Sequence, residues 1–123
     1  MRTVIPGAQA ASGRPISGAV IANGFVFVSG QSFVEGADIE AQTRGVIGKI
    51  AGLLDEAGTD LEHAVRCTIY LSDLSLRDRM SAVYREFFPS EFPARAVVGA
   101  DLGSPECLVE IECTAVQPDA AAR

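Results

Sequence analysis

Apolar and polar side chains alternate in two long stretches of the chain. Val65, Cys67, Ile69 and Leu71 interleave with Arg66, Thr68, Tyr70 and Ser72. A two-residue period of this kind predicts a strand with one buried face. Cys107, Val109, Ile111, Cys113 and Ala115 interleave in the same way with Leu108, Glu110, Glu112 and Thr114, which predicts a closing strand over 107–116. A shorter apolar run, Phe25-Val26-Phe27-Val28, ends in Ser29-Gly30-Gln31. Asn23-Gly24 separates it from Ala19-Val20-Ile21, and an Asn-Gly pair between two such runs predicts a hairpin. A further strand is expected over 94–100.

Two other segments repeat with helical spacing. Ile39, Thr43, Val46, Ile47, Ile50, Leu53, Leu54 and Ala57 mark a helix over 38–57, with Asp38 as N-cap and Gly58 just past its end. Gly45, Gly48 and Gly52 each lower its local propensity by up to ~1 kcal/mol relative to alanine, and are expected to let the helix approach a sheet closely. Met80, Val83, Tyr84, Phe87 and Phe88 mark a second helix over 76–88, ended by a loop between Pro89 and Pro93. The tail over 118–123 reads as loose.

The element order is thus β-β-α-β-α-β-β, an α/β (α+β) chain in which two helices cover one face of a single mixed sheet. The opposite face then carries Glu110, Glu112 and Thr114. Carboxylates on a sheet face are either exposed or enclosed in an oligomer with partners.

Length and composition narrow this picture. One domain accounts for all 123 residues, 48% of them hydrophobic and 21% charged. The net charge is −6 and Lys49 is the single lysine, so the basic footprint of a nucleic-acid binder is missing. No stretch approaches the ~20 apolar residues of a membrane span, and 1–14 lacks the apolar core of a signal peptide, so a cytoplasmic protein is expected. Cys67, Cys107 and Cys113 form no CxxC and read as buried free thiols in a reducing compartment.

Little in the chain is suited to chemistry. His63 is the one histidine and reads as a surface residue, with no catalytic triad or metal cluster around it. Neither a GxGxxG nor a phosphate-binding loop occurs. Arg95, Glu110 and Ser29 remain. The planar guanidinium of Arg95 suits bidentate pairing with a carboxylate, either that of a ligand or that of Glu110 or Glu112 on a neighbouring strand. Glu110 reads equally as a solvated strand carboxylate or a general base, and Ser29 as a turn residue or a pocket residue.

A resemblance separates these readings. Phe27-Val28-Ser29-Gly30-Gln31, Gln42-Thr43-Arg44 with Leu54-Asp55-Glu56-Ala57-Gly58, and Thr68-Ile69-Tyr70-Leu71-Ser72-Asp73-Leu74 occur in order along the chain. Tyr84-Arg85-Glu86-Phe87-Phe88, Phe92-Pro93-Ala94-Arg95 and Val109-Glu110-Ile111-Glu112-Cys113-Thr114-Ala115-Val116 follow them. Together these blocks resemble the Rid (reactive intermediate deaminase) family over nearly the whole chain. Many members of that family carry the older label of endoribonuclease or translation inhibitor. The resemblance implies a chorismate-mutase-like fold and a barrel-like homotrimer with three clefts between subunits. It also implies hydrolysis of 2-imino or 2-enamine acids to 2-keto acids and ammonia, with neither metal nor organic cofactor. Arg95 would hold the carboxylate of a small-molecule substrate, and Glu110 would position or activate water. Ser29 would lie near the pocket, with backbone groups around Val97 completing the contacts.

The chain departs from the family pattern at several positions. Arg14-Pro15-Ile16 stands where many members have Gly-Pro-Tyr, so Ile16 brings no hydroxyl to the pocket and is expected to suit a bulkier or less polar substrate. Ser81 and Lys49 stand where asparagines are common, and 32–37 is shorter than usual. Three other functions compete with a general deaminase: a non-catalytic trimer that binds a small carboxylate, a specialised catabolic deaminase of the aminoacrylate or aminomuconate type, and a ribonuclease.

Overall fold

The computed structural model describes residues 1–35, 38–88 and 90–118. These form strands β1 (Arg2–Ile5), β2 (Ala19–Ala22), β3 (Phe25–Gln31), β4 (Ala64–Leu71), β5 (Ala94–Gly99) and β6 (Val109–Val116). Helices α1 (Gly7–Ala11), α2 (Ile39–Glu56) and α3 (Arg77–Glu86) lie between them. The strands make one sheet in the order β1-β2-β3-β6-β4-β5. Its neighbours are antiparallel except for β4 and β5, which run parallel because α3 carries the chain back between them. The sheet is single and mixed, as the order of elements predicts. Asn23 and Gly24 both have positive φ, 53° and 79°, which is the backbone of a two-residue hairpin turn.

The longer helices lie on one face. Val46, Ile47, Ile50, Leu53 and Leu54 of α2 join Met80 and Tyr84 of α3 in one cluster with Val26, Val28, Cys67, Ile69, Leu71, Ile111 and Cys113 of the sheet. The Asp38 carboxylate accepts from the Ala41 N–H at 2.7 Å and caps α2. Gly58, at φ 77°, stands just past its end. Of the three glycines of α2, only Gly45 serves close approach, and what it meets is the Phe33 ring rather than the sheet. Gly48 and Gly52 face open space.

Other departures from the expected pattern have local causes. The β4–β6 register shifts between Ala64 and Arg66. This bulge turns Val65 outward, 42% exposed, although its alternation matches that of the buried Cys67. The last strand begins at Val109 rather than at 107, because the Gln42 side chain occupies the backbone before it. Gln42 donates to the Glu106 carbonyl at 2.8 Å and accepts from the Leu108 N–H at 2.9 Å. Gln42→Ala would remove both bonds from these half-buried backbone groups and leave a cavity where the buried Gln42 side chain sat, and is expected to cost about 1–3 kcal/mol, read as a lower urea midpoint at unchanged slope. α3 is shorter than the expected 76–88. A 3-10 turn at Leu74–Leu76 precedes it, and Phe87 and Phe88 lie beyond its end, with Phe88 still buried. Pro89, part of 32–37 and 119–123 lie outside the described residues.

None of the described helices α1 to α3 covers the other sheet face. Glu110, Glu112, Thr114, Arg66, Thr68 and Tyr70 lie there, as expected, and the Tyr70 hydroxyl donates to Glu112 at 2.8 Å. Apolar side chains share this face. Phe25 is 39% exposed, Phe27 46% and Val98 42%.

Candidate functional site

Arg95 is the second residue of β5, at the edge of the sheet. It pairs in register with Cys67, which pairs with Cys113, so its side chain leaves the sheet on the helix-covered face. One turn of α3 receives it there. Its Nη2 donates to the Ser81 hydroxyl at 2.9 Å, and the guanidinium lies over the Tyr84 ring, 5.1 Å from the centroid. These contacts orient the fork without neutralising it. Among the described residues Arg95 has no carboxylate partner. The ion pair with Glu110 or Glu112 does not form, because β4 separates β5 from β6.

Tyr84 is wedged between Arg95 and the cysteines. Burial, with Cys67 close by, raises its hydroxyl well above the ordinary range. The hydroxyl is buried without a hydrogen bond of good geometry. The Cys113 thiol is raised by its hydrogen bond with Cys67 and by burial, so it stays protonated. All three cysteines are free and buried. Val97, two residues along from Arg95, is half-buried and packs against the core.

Glu110 belongs to a different corner. A groove of about 800 Å3 is lined by Ile16, Ser29, Gly30, Cys107 and Glu110, with Arg14 and Lys49 further along it. The Ser29 hydroxyl donates to the Ser17 carbonyl at 2.7 Å, and the Ser29 N–H to the Gly18 carbonyl at 3.0 Å. The strand end thereby holds the segment that carries Ile16 beside Glu110. Gly30 has a specific reason to be glycine: the Glu110 carboxylate occupies the space that a Cβ would fill. The β3–β6 register shift between Val28 and Gln31 leaves this room. Cys107 donates to the Val109 carbonyl at 3.6 Å, and burial pushes its thiol up.

The expected site residues thus fall into two groups. Ser29, Ile16 and Glu110 share one groove, while Arg95 lies at the far edge of the sheet and on its other face. Within one chain they do not meet. Gly30, Ser81 and Tyr84 were not among the residues expected at the site. Tyr84 reads from its spacing as core, which it also is. His63 sits apart from both groups, bound to Asp60 at 2.7 Å.

A mixed sheet with helices on one face and an open, polar other face defines an α+β protein. Residues 7–117 match the family model described as Endoribonuclease L-PSP. A RutC family protein of Pyrococcus abyssi is 38% identical over 109 residues, 82% of this chain and 85% of its own length. A YjgF family member from Neisseria meningitidis superposes with a TM-score of 0.88 at 34% identity, covering 97% of both chains. A Rid family protein of unknown function from Yersinia pestis does so at 0.84 and 30%, covering 94% of this chain and 99% of its own. The chain belongs to the YjgF/Rid family. No described helix is long and apolar enough to cross a membrane.

Proposed function

We propose that this protein is a cofactor-independent deaminase that hydrolyses 2-imino or 2-enamine acids to 2-keto acids and ammonia, in a homotrimer whose sites lie between neighbouring subunits. The observation that carries this reading is the separation of Arg95 from Glu110. Arg95 is held ready for a carboxylate and has none among the described residues, and Glu110 has room for a small reactant beside it. A second copy of the chain would bring one half against the other. The open sheet face, with Phe25, Phe27 and Val98 exposed, supplies apolar area for that association. Light scattering is expected to give three times the 12.9 kDa chain mass, and a monomer would contradict the reading.

The chemistry asks little of the protein. Arg95 fixes the substrate carboxylate and so orients the adjacent C=N carbon. Glu110 takes a proton from water as the water oxygen bonds to that carbon and the C=N electron pair moves onto nitrogen, which picks up a proton. The resulting carbinolamine then collapses. Glu110 takes the remaining proton from oxygen and passes a second proton to nitrogen, C=O forms as the C–N bond breaks, and the nitrogen leaves as ammonia. Each transfer lies within the reach of one carboxylate that alternates between base and acid. Ile16 gives the groove an apolar wall.

The test is keto-acid release from imines generated in situ by an amino-acid oxidase, over substrates from alanine-sized to aromatic. Acceleration above spontaneous hydrolysis supports the deaminase. No acceleration from folded, trimeric protein would leave a carboxylate-binding protein instead. Gly30→Ala should displace the Glu110 carboxylate and lower kcat/KM by at least about 10-fold, since a reacting group misplaced by about 1 Å costs on the order of 100-fold. Unchanged kinetics in that variant would deny Glu110 its role.

A further inference from the structure

The corner that holds Arg95 contains a second guanidinium. Ser81, Tyr84 and Arg85 occupy positions i, i+3 and i+4 of α3 and so share one stripe of the helix. Ser81, Tyr84, Arg85, Phe92, Pro93 and Arg95 enclose a pocket of about 220 Å3. Each arginine in it lies over an aromatic ring, Arg95 over Tyr84 at 5.1 Å and Arg85 over Phe92 at 5.3 Å. Stacking holds the guanidinium planes while leaving N–H edges free to pair. No carboxylate lines the pocket, and neither arginine has an ion-pair partner among the described residues. Arg44 and Arg79, by contrast, are paired with Glu86 and Glu40 on the same side of the molecule.

Two cations lining one small pocket repel each other, and a ligand bearing two negative groups removes that cost. The hydrolysis proposed above uses only Arg95. We infer that Arg85 is a second anion-binding residue and that the substrates are imines of acidic amino acids, Arg95 taking the α-carboxylate and Arg85 the side-chain carboxylate. The inference rests on the deaminase reading for its reaction, but the dicarboxylate site stands on the two arginines alone.

Two readouts test it. Calorimetry compares binding of 2-oxoglutarate with that of 2-oxovalerate, which has the same carbon count and one acid fewer. Kinetics compare kcat/KM for the imines of glutamate and norvaline. Wild type should favour the diacid in both by about 10-fold or more, a modest value for a charge-assisted pair partly open to water. Arg85→Gln should bring the diacid-to-monoacid ratio close to one, and Arg85→Lys should retain part of it. A ratio near one in wild type, or a ratio unmoved by Arg85→Gln, would overturn the inference even if imines are hydrolysed. Diacid preference that depends on Arg85, with no imine turned over, would uphold the site and reject the deaminase.

Discussion

Replacing Arg95 with alanine is expected to lower kcat/KM for imine hydrolysis by about 30- to 5,000-fold, equivalent to the roughly 2–5 kcal/mol lost when a buried charge pair loses one partner. The upper part of this range applies if the neighbouring subunit closes over the ion pair, because enclosure removes the water that screens it. Arg95 is exposed in the isolated chain, so its removal should not unfold the protein. The melting temperature is therefore expected to stay close to that of wild type. Arg95→Lys should recover only part of the rate, because an ammonium keeps the charge but lacks the fork that aligns a carboxylate plane. Full activity in Arg95→Ala would remove Arg95 from the site.

Glu110→Gln is expected to lower kcat by about 10²- to 10⁴-fold, the usual worth of general acid–base help. Glutamine fills the same space over Gly30, so the groove keeps its shape while losing its base. KM should move much less than kcat, because the substrate carboxylate is held by Arg95 and not by Glu110. A loss confined to KM would make Glu110 a binding residue and leave the proton transfers without an agent.

Most of the sheet and both long helices are legible in the sequence because period and punctuation agree there. Asp38 and Gly58 bracket α2, Asn23-Gly24 makes the hairpin, and the alternation of β6 separates Ile111 from Glu110. β1 escapes because four residues, only one of them buried, carry no readable period. α1 is a single short turn with no buried residue. Val65 misleads because a bulge reverses a side chain without changing the pattern, and Cys107 because a distant glutamine side chain takes up the backbone before β6.

The site divides in the same way. Arg95 and Glu110 can be found as residue types suited to a carboxylate and to proton transfer. Their separation depends on β4 lying between β5 and β6, and their opposite faces on the register through β4, neither of which adjacency along the chain reveals. The pairing of Arg85 with Phe92 likewise depends on how the loop after α3 returns to the sheet.

A shared site predicts that two inactive chains can repair each other. Arg95→Ala chains keep Glu110, and Glu110→Gln chains keep Arg95. Random assembly of equal amounts into trimers leaves about one quarter of the clefts with both residues intact. The decisive measurement is keto-acid release from imines by the co-refolded mixture, beside each variant alone and wild type. Recovery to about one quarter of the wild-type rate is the predicted result. A mixture no more active than the separate variants, in trimers shown to have exchanged subunits, would contradict a site built across two chains.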